Sequence, residues 1–174
     1  VEEGGFFLNN EMDDFSSKPG HPNFYGLIGS DANSIQPGKR MLSSMTPSII
    51  LKDNKPSLIV GTPGGSTIIT SVLQTILNVY EFDMSVQEAV NAPRFHHQWL
   101  PDVVIFEEGI VDKEKDSILK SKSYFVISLP IEVDAGGMSA RSSIGAVDAI
   151  LINDKGEVST GADFRGDDYG EKLK

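Results

Sequence analysis

The sequence predicts a layered fold of the α/β or α+β class, and three features support this prediction. Residues 57–60 are a β-rich apolar run, which is typical of a strand, and a glycine-rich turn follows at residues 61–66. After the turn, apolar residues recur at the spacing of one helical face. They are Ile69, Val72, Leu73, Ile76, Leu77 and Tyr80. Strand-like segments around this unit predict hairpins, so we expect helices to pack against a sheet.

The size and composition of the chain fit one globular domain spanning residues 1–174. The net charge of −10, from 15 basic and 25 acidic residues, argues against a nucleic-acid-binding surface. The chain has no cysteine, which excludes disulfides, thiolate catalysis and cysteine-based zinc sites. No apolar run approaches the ~18 residues that a membrane helix needs.

The first part of the chain is expected to be a short strand followed by a long loop. Residues 5–8 are predicted to form the strand. Residues 11–40 are rich in glycine and proline and have few periodic apolar positions, which predicts irregular structure. Loops of this length are usually lids or binding loops. The neighbouring Phe24 and Tyr25 indicate that part of the loop packs against another part of the protein.

The remaining elements alternate between strands and helices. A strand at residues 47–52 is predicted to form a hairpin with the run at 57–60 through the turn at 53–55. Ser85 and Glu88 have capping-box spacing, so a second helix is expected over residues 85–90, ending before Pro93. The later predictions are a strand at 103–107, a charged helix at 112–121, a strand at 124–129, a loop at 134–143 and a hairpin of 144–152 with 157–161.

The glycine-rich turn allows three interpretations. Gly64 and Gly65 precede the first long helix, where unpaired backbone amides and the helix dipole favour negative charge. The turn could bind a phosphate, although the lysine of a P-loop is absent. It could form an oxyanion hole, or it could simply be a tight turn that requires glycine. Ser66 or Thr67 is expected to cap the helix through its hydroxyl.

Two polar clusters are candidate binding sites. Glu11 and Asp14, beside Asp13, could hold an ammonium group, bind calcium, act as acid and base, or form a solvated acidic turn. Ser43 and Ser44 lie before a strand, where their hydroxyl and amide groups suit a carboxylate. Ordinary turn serines would look the same.

The histidines and the tryptophan are interpreted as structural residues. His96 and His97 are adjacent, a spacing that does not match a His-Glu-x-x-His metal site, so we expect them to pack or cap. Trp99 is expected to lie in the core. No Gly-x-Ser-x-Gly sequence is present, so a hydrolase triad has little support.

Together, several motifs resemble the γ-glutamyltranspeptidase family. Residues 9–16 read Asn-Asn-Glu-Met-Asp-Asp-Phe-Ser, residues 42–47 read Leu-Ser-Ser-Met-Thr-Pro, and residues 61–66 read Gly-Thr-Pro-Gly-Gly-Ser. Residues 92–102 read Ala-Pro-Arg-Phe-His-His-Gln-Trp-Leu-Pro-Asp and are similar to the bacterial members. The similarity is strong over residues 8–102, weakens afterwards, and recovers at residues 161–165. Because the motifs occur in order and at the family's spacing, the resemblance is specific.

The resemblance implies a fold, a reaction and partners. The fold would be α+β, as part of the four-layer αββα sandwich of N-terminal-nucleophile hydrolases. A precursor would cleave itself into two subunits, and residues 1–174 would be the C-terminal portion of the small one. Its partners would be the large subunit and the N-terminal segment of the small subunit. The enzyme would move a γ-glutamyl group from glutathione or related compounds to water, amino acids or peptides. It would need no cofactor or metal, and it would be periplasmic or secreted.

The resemblance also implies roles for individual residues. Gly64 and Gly65 would form the oxyanion hole, and Tyr25, within the loop at 11–40, would be the lid residue that screens the acyl site. Four further residues would hold the γ-glutamyl group by its amino-acid end. They are Glu11 and Asp14 for the α-ammonium and Ser43 and Ser44 for the α-carboxylate.

The chain departs from the family pattern in ways that leave alternatives open. The catalytic N-terminal threonine and the segment after it are not among these residues, so this chain alone is not expected to catalyse. Met41, Thr62 and Thr67 stand where proline, serine and arginine are expected. A related acylase with another acyl substrate remains an alternative. A non-catalytic γ-glutamyl-binding paralogue is another.

Overall fold

The computed structural model describes residues 4–5, 11–130 and 144–171. The chain divides into two compact units, Val1–Ser44 and Met45–Lys174. That these units form a single domain stays a prediction.

The first unit is irregular over residues 11–40, as predicted. It contains two short 3-10 helices, Glu11–Asp14 and Asp31–Asn33. Isolated bridges join Ser16 to Ser34 and Pro22 to Ile28. The predicted strand at residues 5–8 lies outside the described residues except for Gly5, which is in a turn.

The second unit contains sheets and helices, which confirms the α+β class. Its elements are β1 (Ser48–Lys52), β2 (Lys55–Gly61), α1 (Ile68–Tyr80), α2 (Val86–Asn91), β3 (Phe95–His96), β4 (Val104–Glu107), α3 (Lys113–Ser121), β5 (Val126–Leu129), β6 (Asp148–Ile152) and β7 (Val158–Gly161). Four strands form an antiparallel sheet in the order β1-β2-β6-β7. The other sheet has the order β3-β4-β5, with β4 and β5 parallel.

The main core lies between the four-stranded sheet and helices α1 and α2. Leu58 and Val60 of β2 are almost completely buried, as are Val147 and Ala149 beside and within β6. These side chains pack against apolar residues of the two helices, which are Ile68, Val72, Val79, Val86, Ala89 and Val90. Burial of such side chains contributes about 1.5–3 kcal/mol each to stability. This packing therefore sets the position of α1 relative to β2.

The predicted buried face of α1 is partly wrong. Four of its six apolar residues are 39–63% exposed, and they are Ile69, Leu73, Leu77 and Tyr80. The buried face includes Ser71 and Thr75 instead. Their hydroxyls donate to the carbonyl oxygens of Ile144 and Ser71, at 3.2 and 3.0 Å. Hydrogen-bonded hydroxyls can be buried at little cost, and a count of apolar residues does not detect them.

The predicted helix ends were correct for α2 and wrong for α1. Ser85 and Glu88 form the complete capping box of α2. Neither Ser66 nor Thr67 caps α1 through its side chain; the Thr67 hydroxyl donates to the Gly64 carbonyl at 2.9 Å instead. A 3-10 turn, Gly65–Thr67, leads into the helix.

The last hairpin begins later than expected. The strand predicted from residue 144 starts at Asp148, because the backbone of residues 144–147 bonds to side chains rather than to a neighbouring strand. The predicted loop at 134–143 lies outside the described residues. Among the described residues, no helix is long and apolar enough to cross a membrane.

Candidate active site

The turn between β2 and α1 has a backbone conformation that requires glycine. Gly64 has φ 135° and Gly65 has φ 57°, both in the positive region that side chains disfavour. A Cβ on Gly64 would lie 2.5 Å from the Thr67 hydroxyl oxygen. That hydroxyl and the Thr67 amide both donate to the Gly64 carbonyl. The turn is therefore tight and defined by its own hydrogen bonds.

The turn can accept negative charge. The amides of Gly64 and Gly65 donate no hydrogen bond to any group in the described part of the chain. They precede a 13-residue helix, whose N-terminal dipole favours an anion. Gly64 is exposed and Gly65 is half-buried, so a ligand can approach. This geometry fits an oxyanion hole. The turn has no lysine of the kind that a P-loop uses, so the phosphate interpretation has less support.

Residues 144–147 lie directly against this turn. Gly145 has φ 74°, and a Cβ there would lie 2.7 Å from Thr62 Oγ1 and 2.9 Å from Ser71 Oγ. The Ala146 amide donates to Thr62 Oγ1 at 2.9 Å. The segment and the turn therefore contact each other through the Thr62 hydroxyl, and an added side chain at Gly145 would not fit.

A buried network of four charged side chains supports the same segment. Arg94, Glu107, Asp163 and Arg165 are each at most 2% exposed. Arg165 donates two bonds to Glu107, of 2.8 and 2.6 Å, and one to Asp163, of 2.9 Å. Arg94 pairs with Asp163 at 2.5 Å. With two positive and two negative groups, the network is neutral, which is what allows it to be buried.

The network keeps the carboxylate of Asp163 charged. Burial alone would raise the pKa of Asp163, but Arg94 and the amides of Val147 and Arg165 outweigh burial and lower it. Burial also acts to lower the pKa of Arg165, yet its bonds to Glu107 and Asp163 raise it. Burial lowers the pKa of Arg94, which Asp163 opposes. Arg94 Nε has no hydrogen-bond partner within the described residues.

The sequence analysis missed these four residues. Asp163 and Arg165 lie in the motif at 161–165, and Arg94 lies in the motif at 92–102, but both motifs served only to identify the family. Glu107 ends an apolar strand, and its burial depends on an arginine that is distant in sequence. A charged residue at the end of a buried strand was the available signal.

The first unit brings together two of the predicted substrate-binding residues. Glu11 and Asp14 share one face of their 3-10 helix, since positions i and i+3 eclipse in this geometry. Asp14 Oδ2 accepts a 2.7 Å hydrogen bond from the Ser44 hydroxyl. Ser43 is exposed beside it. A carboxylate and a hydroxyl are thus held side by side.

Asn33 joins the two segments that carry these residues, and the sequence analysis missed it. Its side-chain nitrogen donates to the Asp14 carbonyl at 2.7 Å, and its side-chain oxygen accepts from the Leu42 amide at 3.0 Å. Its backbone carbonyl accepts from Ser16. Nothing in its local sequence distinguished it from an ordinary loop asparagine.

Tyr25 lies at the tip of a turn that a neighbouring asparagine organises. Asn23 Oδ1 accepts from the amides of Tyr25 and Leu27, each at 3.0 Å. The Tyr25 ring packs edge-to-face on Phe24, with centroids 5.3 Å apart. Both rings are exposed, at 46% and 77% for Tyr25 and Phe24. An exposed aromatic tip on an ordered turn suits a lid, a role that stays a prediction.

The expectation of a packing role is confirmed for His96, but the expectation that Trp99 lies in the core is wrong. His96 is buried, and its ring nitrogens lie 2.9 Å from the Thr70 hydroxyl and 2.9 Å from Gln98 Oε1. His97 Nε2 lies 3.1 Å from an Asp102 oxygen. Trp99 is 75% exposed, so it does not contribute to the core. Within the described ranges, no group of three or more histidines and acids could hold a metal.

Comparisons with known proteins agree with the motifs. The family model for gamma-glutamyltranspeptidase matches residues 1–173. A glutathione hydrolase proenzyme of Escherichia coli is 45% identical over 163 residues, which are 94% of this chain and 26% of the relative. The chain therefore spans about a fifth to a quarter of the length of curated relatives such as this one and that of Pseudomonas aeruginosa.

Solved structures show the same similarity. A Helicobacter pylori gamma-glutamyltranspeptidase variant is 46% identical with a TM-score of 0.80, covering 95% of this chain and 84% of its own. The Pseudomonas nitroreducens gamma-glutamyltranspeptidase is 45% identical with a TM-score of 0.80, covering 100% and 85%.

Proposed function

This chain belongs to the gamma-glutamyltranspeptidase family, and we propose that it supplies two sites of an enzyme that transfers γ-glutamyl groups. One site is the oxyanion hole of Gly64 and Gly65. The other is an amino-acid clamp formed by Glu11, Asp14, Ser43 and Ser44. The donor would be glutathione or a related γ-glutamyl compound. The acceptor would be water, an amino acid or a peptide. The chain would work as the C-terminal portion of the small subunit, together with the large subunit from the same precursor.

The observation that carries this proposal is the contact between Ser44 and Asp14. The γ-glutamyl group differs from other acyl groups by the ammonium and carboxylate on its α-carbon. In the structure the hydrogen of the Ser44 hydroxyl is donated to Asp14, which holds this carboxylate in place as a negative acceptor for the ammonium. Contact with the α-carboxylate would require that hydrogen to turn from Asp14 to the substrate. Glu11, on the same helix face, would add a second acceptor for the ammonium, and Ser43 a further group for the carboxylate.

The chemistry would be acyl transfer through a covalent intermediate. The nucleophile would be an N-terminal threonine of the same precursor, with its own amine as general base. As the threonine oxygen bonds to the γ-carbonyl carbon, the carbonyl oxygen becomes negative and accepts hydrogen bonds from the amides of Gly64 and Gly65. Each such donor is typically worth about 3 kcal/mol. The amine then leaves with a proton, and water or an acceptor amine releases the acyl group. Tyr25 would screen this step from solvent.

The alternatives are less well supported. A related acylase for another acyl group would have no use for paired carboxylates at the amino-acid end, and relatives that are 54–57% identical are glutathione hydrolases. A non-catalytic paralogue would lack the threonine. A periplasmic or secreted location is proposed from the family resemblance alone.

The test uses the full-length protein that contains this chain. After purification, mass spectrometry of its N-termini should detect a new threonine N-terminus produced by cleavage of the precursor. The processed protein should release glutamate from glutathione, and it should form a γ-glutamyl peptide when glycylglycine is added. A protein that stays uncleaved and releases no glutamate would contradict the proposal and favour the non-catalytic paralogue.

A further inference from the structure

The side chain of Thr62 connects the Gly64–Gly65 turn to a distant segment. Its hydroxyl donates to the Pro63 carbonyl at 2.7 Å and accepts from the Ala146 amide at 2.9 Å. A hydroxyl has one donor hydrogen, and here that hydrogen is used within the turn itself. Thr62 therefore ties the carbonyl just before the two glycines to the backbone of residues 144–147.

Residues 144–147 are a rigid support. The Ile144 carbonyl accepts bonds from Arg94 Nη1 at 2.8 Å and from the Ser71 hydroxyl at 3.2 Å. The Val147 amide donates to Asp163 Oδ2 at 2.8 Å. These partner side chains are at most 1% exposed, so water does not compete for the bonds. Residues 144–147 are therefore held in place by side chains of the buried ionic network.

Steric contact limits the turn from the same side. A Cβ on Gly64 would lie 3.3 Å from Gly145 Cα, so the two backbones are already close. A side chain at position 64 would therefore press on Gly145. The hydrogen bond from Ala146 to Thr62 opposes movement of the turn away from residues 144–147. Together these contacts fix the turn relative to the support.

We propose that Thr62 is a positioning residue for the oxyanion hole, acting through the Ala146 amide. The inference rests on the proposed function of Gly64 and Gly65. Hydrogen-bond donors stabilise a transition state only when they are already aimed at the developing charge. Loss of the Thr62 hydroxyl would remove the bond between the turn and the Ala146 amide, and glycines at positions 64 and 65 leave the backbone free to adopt other angles. The turn would still be present, but its amides would be less well aimed.

The experiment compares variants of the full-length processed protein with γ-glutamyl-p-nitroanilide as substrate. Thr62→Val keeps the shape and removes the hydroxyl, and Thr62→Ser keeps the hydroxyl. We expect Thr62→Val to lower kcat about ten- to a hundredfold, the scale of a small misplacement of catalytic groups, with KM little changed. Thr62→Ser should stay close to wild type. Thr160→Val, in β7, is the matched control and should leave kcat unchanged.

Two outcomes would overturn the inference. One is a Thr62→Val enzyme with wild-type kcat. The other is an equal loss in Thr62→Ser, which would assign the effect to the methyl group. Thr62→Ala, which also lacks the hydroxyl, provides a second variant if Thr62→Val folds poorly, and it should lose kcat in the same way.

Hydrogen exchange separates this inference from the proposed function. Amide exchange in peptides covering residues 61–67 and 144–148 should be faster in Thr62→Val than in wild type and Thr62→Ser, while the apparent Tm stays similar. Unchanged exchange would overturn the inference whatever the activity. A wild-type protein that releases no p-nitroaniline would instead count against the proposed function, and the exchange result would still decide whether Thr62 holds the turn.

Discussion

The Ser44 hydroxyl donates a 2.7 Å hydrogen bond to the carboxylate of Asp14, 30 positions earlier in the chain. This contact places a negative acceptor beside a hydroxyl within one compact unit. The carboxylate has further lone pairs for an ammonium group, whereas the hydroxyl hydrogen is already donated to Asp14 and would have to turn to reach a substrate carboxylate. The ammonium end of an amino acid could therefore bind at Asp14 with this contact intact.

Removing the charge of Asp14 should weaken substrate binding. Asp14→Asn keeps the shape but replaces a charge-assisted hydrogen bond, so we expect KM for γ-glutamyl-p-nitroanilide to rise about ten- to a hundredfold. The value of kcat should change much less. Steady-state kinetics of the full-length enzyme measures both. Asp13→Asn is the control, since Asp13 is an exposed carboxylate of the same short helix. Equal effects of the two variants would contradict the role of Asp14.

Asn33 should matter although it is not expected to touch substrate. Its side chain bonds to the backbone on either side of the candidate clamp, at Asp14 and Leu42. Asn33→Ala removes both bonds, and each is worth about 1 kcal/mol, so KM should rise roughly tenfold. Gln36→Ala, in the same loop, serves as the control. A wild-type KM in Asn33→Ala would show that the clamp does not depend on this connection.

Gly64→Ala should lower kcat rather than raise KM. The new Cβ would lie 2.5 Å from Thr67 Oγ1 at a φ of 135° that side chains disfavour, so the turn or the Thr67 side chain must move. A displacement of this kind should reduce kcat by about a hundredfold. Gly156→Ala is the control for backbone strain: Gly156 has φ 78° in the last hairpin, with nothing within 4 Å of an added Cβ. If both variants lose the same activity, general destabilisation rather than the turn explains the loss.

Asp163→Asn should destabilise the fold. It would leave Arg94 and Arg165 with only Glu107 in a buried site, a change that typically costs about 3–5 kcal/mol. Chemical denaturation at neutral pH measures the free energy of unfolding. Asp154→Asn breaks the exposed pair with Lys52 and should cost far less stability than Asp163→Asn. Similar losses in both variants would contradict the importance of the buried network.

Asp163 should also make the stability of the fold depend on pH in the acidic range. The pKa of Asp163 in the folded chain lies below its ordinary value of 3.8. The stabilisation is therefore complete at neutral pH and is lost as the pH falls through the folded pKa, in the region below about pH 4. The difference in unfolding free energy between wild type and Asp163→Asn should narrow there. A constant difference down to pH 2 would be contrary to this account.

Sequence reasoning predicted the local features of the fold well. The capping box of Ser85 and Glu88, the hairpin joining β1 to β2 and the charged helix α3 all follow from patterns within a few residues. The family motifs likewise identified Gly64, Gly65, Asp14 and Ser44 as candidates. The structure then placed Asp14 against Ser44, although their roles in the reaction await the experiments.

The sequence could not show features that depend on distant partners. The buried face of α1 contains Ser71 because its hydroxyl bonds to a carbonyl at Ile144. Arg94 is buried because Asp163, far along the chain, neutralises it. In both cases a polar residue behaves as a core residue once its partner is in place. Hydrophobic periodicity contains no information about such partners.

The most direct test of the central claim compares two substrates that differ only in the α-ammonium group. Full-length enzyme is assayed with γ-glutamyl-p-nitroanilide and with glutaryl-p-nitroanilide, which keeps the carboxylate and lacks the ammonium. We expect kcat/KM for the γ-glutamyl compound to be about ten- to a hundredfold higher, since a hydrogen bond to a charged group is worth about 1.5–3 kcal/mol. Asp14→Asn should remove most of that preference. Equal hydrolysis of the two compounds by wild type, or a preference that survives in Asp14→Asn, would contradict the central claim.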